Sequence, residues 1–296
     1  MAAVLPRIRK GLLFTRLVGY AVRVFFSLMR GAASAKIAAW TTRPPKHPID
    51  PSEIKTIVVV GAAFAGYFCT KLMASSLPRD GRYRIIVIEP NSHFNFTWVL
   101  PRFCVVEGHE HKAFIPYTPD FFSQAPEGVV KWVRDKVTSV ERGNVLLESG
   151  EEIAYDFLVV ATGSTVSYGL PSRVGVHDKE GGVELLKKMQ QKIKAASHVV
   201  VAGGGAAGVE LATDAASQYP DKSITLVHSR GAVMHRFGSE LRTAALDALK
   251  ELGVTVILED KVVADSVDGS SITLTSGRTI PCDCFVRFLL SSQVCH

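Results

Sequence analysis

Two small-residue turns carry the chemistry that can be read from this chain. At residues 56–66 the sequence is TIVVVGAAFAG, in which an apolar run, Ile57 to Val60, meets Gly61, Ala63 and Gly66 in a G-x-A-x-x-G array. In such an array the first glycine makes the tight turn, the middle small residue lets backbone approach a pyrophosphate, and the last lets helix pack on strand. Ala63 replaces the middle glycine, so a phosphate group there has one methyl to accommodate. A helical stretch over Tyr67 to Ser76 and a second apolar strand, Ile85 to Ile88, lead to Glu89, 23 residues beyond Gly66. A carboxylate about 20 residues on is placed to accept hydrogen bonds from ribose hydroxyls.

The second turn, HVVVAGGGAAGVE, has Val199 to Ala202 as strand and Gly203, Gly205 and Gly208 in full G-x-G-x-x-G register. A helix to about Gln218 and a strand over Ile224 to Val227 follow, ending in His228-Ser229-Arg230 where an acid is expected. His228 lies 20 residues beyond Gly208, so the position is kept and the residue type has changed. A carboxylate there repels the extra phosphate of NADPH and a nearby arginine accommodates it. Arg230 therefore predicts that NADPH is accepted at least as well as NADH.

The elements that position these turns occur twice. Lys136-Val137 opens a strand, Ser149-Gly150 makes a turn, and Tyr155-Asp156 leads a returning strand to Ala161-Thr162-Gly163. In the second half Lys261-Val262, Ser276-Gly277 and Cys282-Asp283 follow the same plan, with Asp156 and Asp283 each six residues past the turn glycine. Each half reads as a β-α-β unit, a short antiparallel meander and a returning strand, and two nucleotide sites follow. The fold class is α/β, with two Rossmann-like dinucleotide-binding units. The register sets Ala161-Thr162-Gly163 opposite Phe288-Leu289-Leu290, and this predicts a chain that leaves the repeat near Arg287, incomplete at its C-terminus.

Charge separates a leader from a body. Residues 1–49 hold nine of the 34 Lys and Arg and no acid, leaving 25 basic against 28 acidic residues in the rest. That balance argues against nucleic acid as a partner, since the basic stripe of a binding domain is missing. Arg9, Arg16, Arg23 and Arg30 recur every seven residues, and Leu12, Leu13, Leu17, Val22, Phe25, Phe26 and Met29 take the other face. Such a helix lies on a membrane surface; a mitochondrial transit peptide has the same pattern, and the two readings stay open. A simple transmembrane span is not expected, because Arg16 and Arg23 interrupt the apolar run. Residues 43–48 read as a linker.

Five cysteines without a C-x-x-C pair exclude a disulfide framework and a thiolate zinc site. Cys104 reads as a small buried hydrophobe, with a sulfenic acid as the alternative. His109-Glu110-His111 reads as a polar loop and not as a metal site, so no metal is expected. Phe94, Phe96 and Trp98 read as a buried strand or loop core, with a cofactor-side wall as the alternative.

With these motifs in order, the chain resembles the two-dinucleotide-binding-domain flavoproteins over about residues 55–286. It is nearest their apoptosis-inducing-factor-like and ferroptosis-suppressor-like branch, with type II NADH dehydrogenases as cousins. The resemblance implies FAD in the first unit, with Gly61, Ala63 and Gly66 at the pyrophosphate and Glu89 at the ribose. It also implies Val137 near the adenine, Thr162-Gly163 where the chain passes the cofactor, and Arg102 near the flavin. For the second unit it implies NAD(P)H, with Glu210 in the family's G-x-E position beside Gly203, Gly205, Gly208, His228 and Arg230. The expected divisions are 1–49 as basic segment and linker, 50–172 as FAD-binding unit, 173–290 as NAD(P)H-binding unit and 291–296 as an atypical tail. The resemblance implies hydride transfer from NAD(P)H to flavin and electron transfer to a quinone or other small acceptor. It leaves room for a homodimer and for either a cytoplasmic membrane surface or a mitochondrial location. The family continues beyond this point with a further part, so the alternative is a catalytically silent form that binds nucleotide or membrane.

Overall fold

The computed structural model describes residues 4–41, 49–78, 80–118, 128–164, 170–265 and 269–288. The linker run 43–48 and the tail 291–296 lie outside these residues, as do Leu289 and Leu290.

In chain order, the first part contains α1 (Val4–Thr41), β1 (Lys55–Val60), α2 (Phe64–Ser76), β2 (Tyr83–Ile88), β3 (His93–Asn95), α3 (Leu100–Phe103), β4 (Phe114–Pro116) and β5 (Val130–Val133). The meander β6 (Val137–Val140), β7 (Asn144–Leu147) and β8 (Glu152–Ala154) precedes β9 (Phe157–Val160) and α4 (Lys179–Ala195). The second part contains β10 (His198–Ala202), α5 (Ala206–Gln218), β11 (Ser223–His228), α6 (Ser239–Glu251) and β12 (Thr255–Leu258). A second meander, β13 (Val262–Asp265), β14 (Ser271–Leu274) and β15 (Thr279–Pro281), precedes β16 (Cys284–Arg287).

Contacts divide the chain into two compact units, Met1–Glu89 with Pro119–Thr162, and Pro90–Thr118 with Gly163–His296. In the first, parallel strands lie in the order β5-β2-β1-β9. Apart from exposed Lys55, every residue of β1 is buried, as expected of a central parallel strand covered on both faces. In the second unit the order is β12-β11-β10-β16, again parallel.

The repeat extends to individual contacts. Val60 pairs with Val160 and Ala202 with Arg287, so the predicted alignment of Ala161 with Phe288 holds in the sheets. The amide of Ala161 donates to Val60 O at 2.8 Å and that of Phe288 to Ala202 O at 2.8 Å. Both meanders carry a register irregularity on their first strand, between Val137 and Ser139 and between Val262 and Ala264. Asp156 Oδ2 accepts from the Thr56 amide at 2.8 Å, and Asp283 Oδ2 from the His198 amide at 2.9 Å. Each aspartate thereby ties the start of a returning strand to the start of a central one.

By contacts, residues 90–118 group with the second unit, although they lie inside the range 50–172 expected for the first. The physical reason is packing. Leu100, Phe103, Cys104, Val105 and Phe114 share a buried cluster with Leu186, Ile193 and Leu211 of α4 and α5. The buried Gln190 amide donates to Phe103 O at 2.8 Å, Val106 O at 3.2 Å and Glu110 Oε1 at 2.7 Å. Glu110 is therefore an internal acceptor, and among the described residues no three or more His, Cys, Asp and Glu side chains are grouped so that they could hold a metal ion. Cys104 is fully buried, and burial first, then the neighbouring Cys284, pushes its thiol pKa upward. Phe94 is buried in β3 whereas Trp98 is 71% exposed, so the aromatic alternation forms no single buried strand.

α1 runs through Arg16 and Arg23 as one helix. Its segment Gly11–Gly31, 21 residues, is long and apolar enough to cross a membrane by length and composition. Leu17, Phe25 and Phe26 on this helix are exposed.

Candidate functional site

The first turn is closed by the Gly61 amide donating to Ile88 O at 2.8 Å. Gly61 has φ +94°, and a Cβ there would stand 2.5 Å from Ala161 O, so glycine is required for both conformation and space. At Gly66 a Cβ would lie 1.8 Å from Gly61 O, the close helix-to-strand approach that the last position of the array needs. Ala63 is the N-cap of α2 and makes no side-chain cap hydrogen bond. Glu89 is buried at the end of β2, and its Oε2 accepts from the Ala62 amide at 2.8 Å. The predicted acid thus holds the turn itself. Val137 is half-buried against the cluster of Val58, Ile86 and Leu147, and Thr162 is exposed just past β9.

The second turn repeats this construction with different side chains. The Gly203 amide donates to Val227 O at 2.8 Å, and Gly203 has φ +121°. A Cβ on Gly208 would lie 1.8 Å from Gly203 O, matching Gly66. Phe288 stands where the first unit has Ala161, 3.0 Å from the place a Cβ would take on Gly203. Gly205, the N-cap of α5, has open space where a Cβ would be, and no side chain caps the helix. His228 replaces Glu89 functionally as well as in register, since its Nδ1 accepts from the Gly204 amide at 3.1 Å.

A pocket of about 750 Å³ opens in front of this turn, with Gly203, Gly205 and Ala206 on one side. Arg236, Lys261 and Arg287 bring positive charge to its wall. Among the described lining residues the one acid is Asp260, which accepts from the Ser276 hydroxyl through Oδ2 at 2.6 Å, against the three cations Arg236, Lys261 and Arg287. The uncapped N-terminus of a 13-residue helix adds to a field suited to a phosphorylated ligand.

Arg230, the predicted phosphate contact, is exposed and does not line this pocket. Arg236 and Lys261 do; sequence reading missed Arg236 because no motif marks its loop, and used Lys261 only as the opening of a strand in the repeat. Glu210 lies on α5 and its pKa is raised, by burial first and then by the Asp214 carboxylate, against the opposing charge of Arg102. Arg102 forms a 2.7 Å ion pair with Asp214, so in this unit it serves the α5 acids. Of the predicted residues, the structure gathers Gly61, Ala63, Gly66 and Glu89 at one turn, and Gly203, Gly205, Gly208 and His228 at the other.

Residues 55–289 match the profile of the pyridine nucleotide-disulphide oxidoreductase family. The chain belongs to this family. Its members are FAD- and NAD(P)H-binding oxidoreductases, in accord with two dinucleotide turns in one chain. Fe-regulated protein 8 of Mycosarcoma maydis is 36% identical over 249 residues, which are 77% of this chain and 62% of that protein. Ferroptosis suppressor protein 1 of Xenopus laevis is 30% identical over 216 residues, 72% of this chain and 54% of that protein. The chain therefore spans little more than half the length of these relatives. Among solved structures, the ferredoxin reductase for the CYP199A2 system of Rhodopseudomonas palustris superposes with a TM-score of 0.61 at 22% identity, covering 79% of this chain and 58% of that one. This likeness shows the two-unit flavoprotein reductase fold.

Proposed function

We propose that the chain is an FAD-dependent NAD(P)H oxidoreductase held at a membrane surface by α1 and delivering electrons to a quinone-like acceptor. The observation that carries the reading is the duplicated turn, with a glycine that admits no Cβ at its end and a buried acceptor on its second amide. A single turn of this kind serves one nucleotide; two in one chain serve a donor and a prosthetic group.

FAD fits the first turn. Gly61, Ala63 and Gly66 at the start of α2 would hold its pyrophosphate, Glu89 at the end of β2 would take the ribose, and Val137 and Thr162-Gly163 would take the remainder. NAD(P)H fits the second, where the open Cβ position of Gly205 and the cationic pocket leave room for a pyrophosphate. Glu210, with its proton affinity raised by burial and Asp214, stands on the helix that this pocket faces. The cofactors, when bound, supply the hydride and electron chemistry; the chain binds and orients them. An apolar helix with exposed aromatics favours a lipid surface, where a lipid-soluble acceptor such as a quinone is concentrated.

The absence of a carboxylate at the end of β11 and the presence of Arg236 and Lys261 in the pocket support use of NADPH at least as readily as NADH, with Arg230 an outer contributor. Arg236→Ala is expected to weaken NADPH about tenfold, near 1.4 kcal/mol, while NADH changes about twofold or less. Titration of both nucleotides against wild type and variant decides this, and an unchanged NADPH-to-NADH ratio contradicts it.

A further inference from the structure

The two turns hold their second amide with different chemistry. In the first, Glu89 Oε2 accepts from Ala62; in the second, His228 Nδ1 accepts from Gly204. A compensating change accompanies the exchange. A Cβ on Gly204 would stand 2.8 Å from His228 Cγ and 3.0 Å from its Cβ, so the alanine found at position 62 has no room opposite an imidazole. The carbonyl of Gly204 is held as well, by the Met234 amide at 2.7 Å, and Met234 takes φ +52° to reach it. Both sides of residue 204 are thus fixed by residues of the pocket wall.

A backbone N–H only donates, so Nδ1 of His228 carries no proton and the neutral ring keeps its proton on Nε2. Nε2 lies 3.4 Å from Nδ1 of His235, which extends the contact toward the pocket. An ionised carboxylate keeps lone pairs that accept a hydrogen bond. An imidazole that takes a second proton has none left on Nδ1.

We propose that His228 is the positioning residue of the second nucleotide turn, and that its protonation releases the Gly204 amide and weakens nicotinamide-nucleotide binding. The inference rests on the reading of the second turn as the NAD(P)H site. Acidification then lowers affinity at this site. The charged and titratable groups around His228 are His235 and Arg230 on the loop after β11, Arg236 farther along it, Asp260 and Lys261 after β12, and Arg287 on β16. Asp260 accepts from Ser276 Oγ and from the amides of Lys261 and Ser276, so its charge is committed there. Burial foremost, then His235 and Arg230, pulls the His228 pKa below the ordinary histidine value. The contact is therefore made at neutral pH and lost as pH falls below that range.

The test is a pH titration of the full chain, labelled with nitrogen-15, between about pH 8 and about pH 5. NMR follows the Gly204 amide and the His228 ring nitrogens, and NADH affinity is measured across the same range. NADH is the probe because the 2′-phosphate of NADPH itself titrates near ~6. The expected result is a Gly204 amide shift and an approximately fivefold or greater loss of NADH affinity, both with the midpoint of His228. In His228→Gln, whose amide oxygen accepts from Gly204 without titrating, and in His228→Glu, which restores the lock of the first turn, the pH dependence of affinity is expected to disappear. A Gly204 amide that does not move while His228 titrates overturns the proposal, as does equal pH dependence in wild type and both variants. If the contact titrates as expected and NADH binds at no pH, the nicotinamide reading of the site fails while the histidine contact stands.

Discussion

At the scale of single residues, the glycines of each array are not equivalent, and the structure separates them. Gly208 has a carbonyl oxygen 1.8 Å from where a Cβ would be, whereas Gly205 has open space. Gly208→Ala is expected to destabilise the fold by about 1–3 kcal/mol through overpacking and to lose nucleotide binding with it. Gly205→Ala is expected to leave the melting temperature within ~2 °C of wild type while weakening NAD(P)H about tenfold, because its methyl projects only where the pyrophosphate approaches. Paired thermal melts and nucleotide titrations check both; a destabilised Gly205→Ala or a tight-binding Gly208→Ala contradicts the assignment. Ala63 in the first turn shows that the middle position tolerates a methyl in the folded chain. These positions were legible in the sequence because backbone conformation and close approach restrict residue type. The position of His228 opposite Glu89 was legible from spacing, but its role was not, since a histidine at a strand end has no residue-type rule and only the Gly204 contact shows that it holds the turn.

At the scale of elements, the returning strands are tied by aspartates. Asp283 Oδ2 accepts from the Ser197 and His198 amides at 2.7 and 2.9 Å, and these hydrogen bonds hold its pKa below the ordinary value. Asp156 is lowered by Lys55 first and then by the Thr56 amide. A folded pKa below the unfolded one contributes stability that is present above the unfolded value and lost as pH falls through the folded one. Melting temperature is therefore expected to decline below about pH 4, and Asp156→Asn with Asp283→Asn is expected to flatten that decline. An acid limb of unchanged steepness in the double variant contradicts the role. The β-α-β units and both meanders were legible because apolar runs, glycine turns and Asp spacing repeat between the halves. The placement of 90–118 was not, because the alternation of Phe94, Phe96 and Trp98 does not say which unit the segment joins, and the contacts that fix it come from Gln190, about eighty residues farther on.

At the scale of the whole molecule, the family and the duplicated turn support the proposed oxidoreductase of two nucleotides, and α1 adds an apolar surface. The full chain is expected to co-sediment with anionic vesicles, and Phe25→Glu with Phe26→Glu to release at least about half of it, because both rings are exposed on α1. Retention of the double variant at wild-type level contradicts attachment through this face. The heptad of arginines made the helix legible, while its unbroken run over Val4–Thr41 emerged only in the structure.

The most direct test of two working nucleotide sites is the visible absorption spectrum of the full chain purified with added FAD, recorded before and after anaerobic NADPH. The account predicts retained oxidised-flavin bands that bleach on addition of NADPH. A chain that retains no flavin, or flavin bands that NADPH leaves unchanged, contradicts it.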